Sequence, residues 1–432
     1  MLTKKTPPSG GVAAQFHRAS TWRAVGNGDD PANSVTVAYM TEGVKIMMDK
    51  RKRPQFHVMS EIFSEEYPLS NYAFSLYLFI KRVYEESIKD GITDLYFLSR
   101  EGQFLKHLFD KYIENKQVRP NSHYMYISRR AAVNASLQCL EDERFTALKT
   151  SYRSMSIAAF LKSLDFTDRE IAVCTENMEG YPVQYFYEDF FESDAFMQLK
   201  ANSDYRCIYE EKRISAHDNF VRYLNKIGYD SGKKVAVVDV GWNGTIQDAL
   251  YRLGMRNALY GYYIGTNQVG ASADNVKKGL LFDIDPIFGF DRHNFEYICV
   301  ADHGATIGYD ENGMPVIADD GDCDLYKTYY KEVQQSITNK FIRLDLCFGD
   351  KPIDYATESY FLFFHTQMLL KLNRIESEIL ENSKKLHPDT FATGGIYKPA
   401  WIKKQIWYFY QNCKLYMAHY TVKKRIVNNE HT

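Results

Sequence analysis

The sequence predicts an α/β protein: a sheet core, a large helical insertion, and a helical C-terminal region. Three observations lead there. Strand–turn–helix patterns occur twice between residues 95 and 135 and again between 233 and 265. Short apolar runs feed polar, glycine-bearing loops, the arrangement of parallel strands with crossover helices. Between the two blocks lie about ninety residues of mostly helical, charged sequence, such as "SIAAFLKSLDF" and "AHDNFVRYLNKIG".

The elements follow in order. Residues 1–35 are rich in Pro, Gly, Ser, Asn and Asp without periodicity and read as a flexible leader. "TEGVKIMMDKRKRP" suggests a short helix ending before Pro54. From about Glu66, Tyr72, Leu76, Phe79, Ile80 and Val83 recur at helical spacing, and Gly91 marks the stop. Leu95–Leu98 is a strand, Ser99–Gly102 a turn, and Phe104, Leu105, Leu108 and Phe109 define the next helix. Tyr124–Ile127 repeats the strand, followed by Ser128-Arg129-Arg130. "VAVVDVGWNGTIQDAL" supplies strand, loop and helix again, and "ALYGYYIGTN" a further strand. "IGYDENGMPVIAD" turns at Asn312-Gly313 and reads as a β-hairpin. These elements divide the chain into 1–35 (leader), 36–140 (first part of the α/β core), 141–230 (helical insertion), 231–322 (second part of the core) and 323–432 (helical). No internal repeat is found.

Composition sets limits. The chain has 432 residues, enough for one large domain or two to three ordinary ones. A formal charge of -2 gives no whole-chain case for nucleic-acid binding. The 33 Tyr and 27 Phe suggest aromatic packing of helices, or a groove stacking on sugar rings. None of the seven Cys is spaced as C-x-x-C, so a structural zinc site or disulfide framework is not expected and a cytoplasmic location is. The run "YFLFFHTQMLLKL" is too short to span a bilayer, and the N-terminus has no secretory signal core. The basic "VKKR" near the C-terminus reads as a solvated tail, or as a contact to the inner face of a membrane.

In parallel sheets ligands bind at the carboxyl ends of the strands. Three polar loops fall on that edge: Ser99–Gly102, Ser128–Arg130 and Asp239–Thr245. Gly241 and Gly244 allow backbone N–H groups close to an anion, and the following helix N-terminus adds a favourable dipole. Thr245 caps that helix or offers its hydroxyl to a phosphate. Asp239 is placed to accept from a ribose diol or to hold a metal ion. Equally, such a loop can be a plain strand–helix turn. Arg100 suits bidentate phosphate contact, or pairs with Glu101. Of the adjacent Arg129 and Arg130, one is expected to be structural, since neighbours on a helix start point apart. Together the loops suggest a polyanionic small molecule.

Other motifs carry less. Asp283-x-Asp285 resembles a metal-binding DxD or a dehalogenase-type phosphatase start, but Ile287 stands where the phosphatase needs Thr or Val; an acidic turn closed by Pro286 fits better. "ADDGDCD" lacks the Glu that would complete a calcium loop. No nucleophile elbow, His-Glu-x-x-His or hydrolytic triad occurs.

At "DLYFLSREGQFLKHLFDKY", "YMYISRRA", "VVDVGWNGTIQ" and "YGYYIGT", over roughly residues 66–320, the chain resembles a bacterial family from surface-polysaccharide gene clusters, labelled as predicted haloacid-dehalogenase (HAD) hydrolases. The resemblance is to the part that follows the hydrolase domain. The strand–loop pattern is also similar to type I phosphoribosyltransferases, whose sheet core is Rossmann-like. That similarity implies that Ser99, Arg100, Glu101 and Gly102 form a pyrophosphate loop. It implies that Asp239 holds a ribose diol and Mg2+, and that Gly241, Trp242, Asn243, Gly244 and Thr245 cradle a 5-phosphate. Val240 stands where that family's signature has a second acid. The combined resemblance implies a glycosyltransferase that moves 5-phosphoribose from phosphoribosyl pyrophosphate (PRPP) onto a glycan acceptor, free or lipid-linked, with a HAD phosphatase acting afterwards. Arg129, Arg130, Gln247, Glu296 and His303 are further substrate contacts on this reading, with Glu101, Glu296 and His303 the candidate bases. Two alternatives stay open: a nucleotide-sugar transferase with a GT-B-like pair of α/β domains, and a non-catalytic glycan-binding module.

Overall fold

The computed structural model describes residues 53–372, apart from 153, 231, 255–257, 268–273, 284–291, 320 and 354. The expected leader, the helix at 41–52, the second Asp of the DxD, Trp401, Trp407 and "VKKR" lie outside the described residues.

The described residues open with α1 (Arg53–Ile62) and α2 (Tyr72–Asp90), then β1 (Asp94–Leu98), α3 (Gly102–Ile113), β2 (Asn121–Met125) and α4 (Arg129–Ala135). The insertion carries α5 (Thr146–Ser151), β3 (Ser154–Met155), α6 (Ile157–Ser163), α7 (Asp168–Thr175), β4 (Tyr187–Glu188), α8 (Asp194–Ala201) and α9 (Ser203–Lys226). The core resumes with β5 (Val235–Asp239), α10 (Thr245–Arg252), β6 (Leu259–Thr266), β7 (Asn275–Asp283) and α11 (Arg292–Ile298). A hairpin of β8 (Thr306–Tyr309) and β9 (Pro315–Ile317) precedes α12 (Asp322–Leu325), α13 (Lys331–Phe348) and α14 (Tyr355–Lys371).

The five long strands form one parallel sheet in the order β2-β1-β5-β6-β7. The expected α/β class is therefore what the chain adopts. β1 is buried along its whole length, as a central parallel strand must be when helices cover both faces. Side chains alternate across it. Leu95 and Phe97 join the core under α2, α3, α13 and α14, while Tyr96 and Leu98 join the core under α4, α9 and α10. The C-terminal helices thus complete the main core: Phe341, Phe361 and Phe364 pack against Phe74 and Tyr77 of α2, and Leu344 and Tyr360 belong to the same core. α2 stops where expected. Gly91 takes φ 69°, and Ile92 N–H reaches back to Ser87 O at 2.8 Å.

The insertion has its own core, built around Phe145, Phe160, Phe190, Phe191 and Phe196. Ring pairs such as Phe145–Phe160 at 5.2 Å make the aromatic abundance there a matter of packing. α9 leaves the insertion and enters the sheet layer, with Tyr205 and Tyr209 in one core and Phe220 and Tyr223 in the other. The second strand spans Asn121–Met125 rather than the expected Tyr124–Ile127; it lies at the sheet edge and is mostly half-buried, so its first residues are polar. β7 carries two lysines, which hid it in the sequence: Lys278 pairs with Glu86 at 2.6 Å and Asp90 at 2.5 Å on α2. Among the described residues no helix is long and apolar enough to cross a membrane.

Candidate functional site

In chain order the parallel strands run 2-1-3-4-5, so the connections leave in opposite directions between β1 and β5. That switch point opens a crevice at the carboxyl ends, the usual ligand position in such sheets. Ser99–Glu101 and Val240–Gly244 are the two loops beside it. Each loop contains one cis peptide bond, Ser99–Arg100 and Gly241–Trp242.

The first loop is anchored by Ser99. Its hydroxyl donates to Ile127 O at 2.7 Å, accepts from Ile127 N–H at 2.9 Å, and lies 3.5 Å from Thr306 Oγ1. Ser99, expected to contact substrate, therefore binds three segments of the protein together. Gly102 is likewise internal: a Cβ there would meet Phe97 C at 2.6 Å, so its role is the close approach of α3 to β1. Arg100 and Glu101 are half-buried at the crevice. Glu101 accepts from Arg100 N–H at 3.0 Å. Burial pushes its carboxyl up from the ordinary range; the Arg100 charge opposes this and Glu296 adds to it.

The second loop is laced to β6. Gly265 N–H donates to Val240 O at 3.3 Å and Asn267 N–H to Trp242 O at 2.8 Å. Gly241 has φ 150°, and a Cβ there would lie 2.5 Å from Gly265 O, so only glycine fits. Gly244, at φ 64°, is the helix cap, displacing Thr245 to the first helical position; no side chain caps that first turn. Lys277 of β7, which the sequence did not single out, supports the loop by donating to Asn243 O at 3.0 Å. Asn243 itself is exposed and accepts from Asn267 Nδ2 at 3.0 Å.

Asp239 ends β5 half-buried, accepting from Val240 N–H at 2.7 Å. Burial and the neighbouring Glu101 raise its carboxyl well above the usual range; Glu296 raises it further, while Val240 N–H and Arg129 pull it down. Glu296 accepts from Trp242 Nε1–H at 2.9 Å. Three carboxylates from β1's loop, β5 and α11 thus share one electrostatic neighbourhood with Arg100 and Arg129. Val240, beside Asp239 in the chain, is a buried core residue, and the carboxyl that acts most on Asp239 is that of Glu101.

The arginine pair divides as the helix start requires. Arg129 is exposed and acts on Asp239. Arg130 turns to the insertion, donating to Lys162 O at 2.8 Å and pairing with Asp165, so it is structural. Gln247 is fully buried: Nε2 donates to Leu259 O, Asn275 Oδ1 and Val276 O, and Oε1 accepts from Tyr263 at 2.6 Å. It ties α10 to β6 and β7, and its full burial keeps it from a ligand in the crevice. His303 donates from Nδ1 to Gly304 O at 2.8 Å, which leaves Nε2 to accept from Tyr124 Oη at 2.7 Å. Tyr124 and the buried Cys299 are further site neighbours without a sequence signal. Burial raises the Cys299 thiol, and Glu101 and Asp239 add to the effect.

Among the described residues no group of three or more His, Cys, Asp or Glu is arranged as a metal cage. Asp239, with Glu101 as a like-charged neighbour, offers one carboxylate to a hard cation that arrives with oxygens of its own, as Mg2+ does on phosphates.

No family model matches the chain, and no curated protein matches it either.

Proposed function

We propose that the protein is a glycosyltransferase that transfers 5-phosphoribose from PRPP to a glycan hydroxyl. The observation that carries this reading is the switch point: an Asp-ended strand with a glycine-shaped loop faces an Arg-Glu loop across it. On this reading Asp239 orients the ribose diol through charge-assisted hydrogen bonds. The uncapped first turn of α10 takes the 5-phosphate on its N–H groups. Arg100 and Arg129 hold the pyrophosphate and offset its growing charge as it leaves. Mg2+ entering with PRPP would be held by Asp239 and would supply further charge neutralisation. The acceptor oxygen bonds to the anomeric carbon as the carbon–pyrophosphate bond breaks. Its proton passes to Glu101, whose proton affinity is raised by burial. A downstream phosphatase would then release the phosphate from the product.

The described residues hold one parallel sheet; a GT-B-like enzyme needs two such domains. A thermal-shift screen tests the donor: PRPP with Mg2+ is expected to stabilise the protein, and UDP- or CDP-sugars are not. Stabilisation by a nucleotide sugar and none by PRPP overturns the reading. A donor screen on a synthetic acceptor, read by mass spectrometry, then measures transfer itself.

A further inference from the structure

Away from the switch point, a cavity of about 200 Å³ lies between the insertion and the core. Asn134 of α4, Asp165 and Phe166 after α6, Ala216 of α9 and Ile307 of β8 form its walls. An apolar cavity of about 150 Å³ admits benzene, so this one takes a single substituted six-membered ring.

The lining defines the chemistry of that ring. The charged groups are matched internally: Lys212 pairs with Glu170 at 3.0 Å, Arg213 with Glu210 at 2.6 Å, and Asp165 with Arg130. A charged ligand would have to break one of these pairs. Asn134 is only 5% exposed, and its Nδ2 donates to Ser163 O at 3.1 Å and Asp165 Oδ2 at 2.8 Å. Its Oδ1 is buried without a partner among the described residues. A buried acceptor in a concave site calls for a donor from outside. Phe166 and Leu164 supply apolar surface beside it. Hydroxyl donors around an apolar ring face are the chemistry of a neutral sugar.

The cavity is joined to the switch point by two elements. α4 begins at Arg129, which acts on Asp239, and reaches Asn134 five residues later, roughly 7.5 Å along the axis. β8 places Thr306 beside Ser99 and the next residue, Ile307, in the cavity wall. We propose that this cavity is a subsite for one neutral sugar ring of the acceptor, a hydroxyl of which donates to Asn134 Oδ1. The word acceptor rests on the transferase reading above; the sugar site does not.

The test is saturation-transfer NMR on the full chain with the methyl glycosides of glucose, galactose, mannose, N-acetylglucosamine and ribofuranose. At least one is expected to receive saturation. Ala216→Trp, which fills the cavity from a half-buried helix position, is expected to cut that signal about tenfold or more. Ser215→Trp, at an exposed position, is the second blocking variant. No transfer to any glycoside, or transfer that survives both variants, overturns the assignment. The PRPP thermal shift is measured in parallel. Sugar binding without a PRPP shift sinks the donor reading and keeps the sugar site; a PRPP shift without sugar binding does the reverse.

Discussion

Asp239→Asn separates a functional aspartate from a structural one, because the two roles predict opposite changes in stability. Asp239 is desolvated beside Glu101 and Glu296, and its carboxyl is raised well above the ordinary range. A raised acid prefers the proton in the folded state. Its stabilising contribution is complete below the unfolded value, near pH 4, and is lost as pH rises through the folded value. Neutralising it removes a buried charge facing like charges, worth about 1–4 kcal/mol. Asn can still accept from Val240 N–H, so only the charge assistance of that 2.7 Å bond is lost, about 1 kcal/mol. The net is a gain of about 0–3 kcal/mol at pH 8. At about 2.1 cal/mol/K per residue over roughly 300 residues, each kcal/mol moves Tm by about 1.6 °C. The Asp239→Asn protein should therefore melt up to about 5 °C above the parent at pH 8, the gap closing towards pH 4. The same variant loses two charge-assisted bonds to the ribose diol, at about 1.5–3 kcal/mol each, so PRPP should bind at least about a hundredfold more weakly. Calorimetric melts across pH, with and without PRPP, provide both readouts. A variant less stable than the parent at pH 8, or one that keeps its PRPP shift, refutes the reasoning.

The arginine pair should divide in the same assays. Arg129→Ala should weaken PRPP binding with melting unchanged, whereas Arg130→Ala should leave PRPP binding intact and raise hydrogen exchange around Lys162–Asp165, at a cost of about 1–2 kcal/mol. Gln247→Leu removes the partner of Leu259 O, Val276 O and Tyr263 Oη, and urea unfolding should show a loss of about 3 kcal/mol or more. Trp242→Phe keeps the ring packing but deletes the donor to Glu296, and should cost about 1–2 kcal/mol by the same measurement.

Much of the sheet was legible because central parallel strands are unbroken apolar runs: "LYFL" and "VAVV" sit where expected, and the hairpin turn falls at Asp310–Gly313, with Gly313 N–H on Asp310 O at 2.8 Å. β7 was not legible, since Lys278 pairs with acids of α2 and Lys277 with Asp248 of α10, partnerships that only tertiary structure creates. At the site, residue type revealed which positions have unusual chemistry but not which way they face. Gln247 and Ser99 look like ligand contacts in "GTIQ" and "SREG" until their hydrogen bonds are followed. Arg129 and Arg130 could be divided in principle by helix geometry, though not which one went where. The neighbourhood of Glu101 and Asp239, 138 positions apart in the chain, depends on strand order, which no local pattern encodes.

α9 runs unbroken from the insertion's core to the sheet's, and this makes the insertion a cantilever whose phase is fixed by residue count. One residue added near its middle would rotate the distal arm by about 100° and advance it about 1.5 Å. Tyr205 and Phe220 could then no longer both face their cores. Length change is therefore tolerated in the loops of the insertion but not along this beam, and any drift in the span from Ser203 to Lys226 would have to come in whole helical turns.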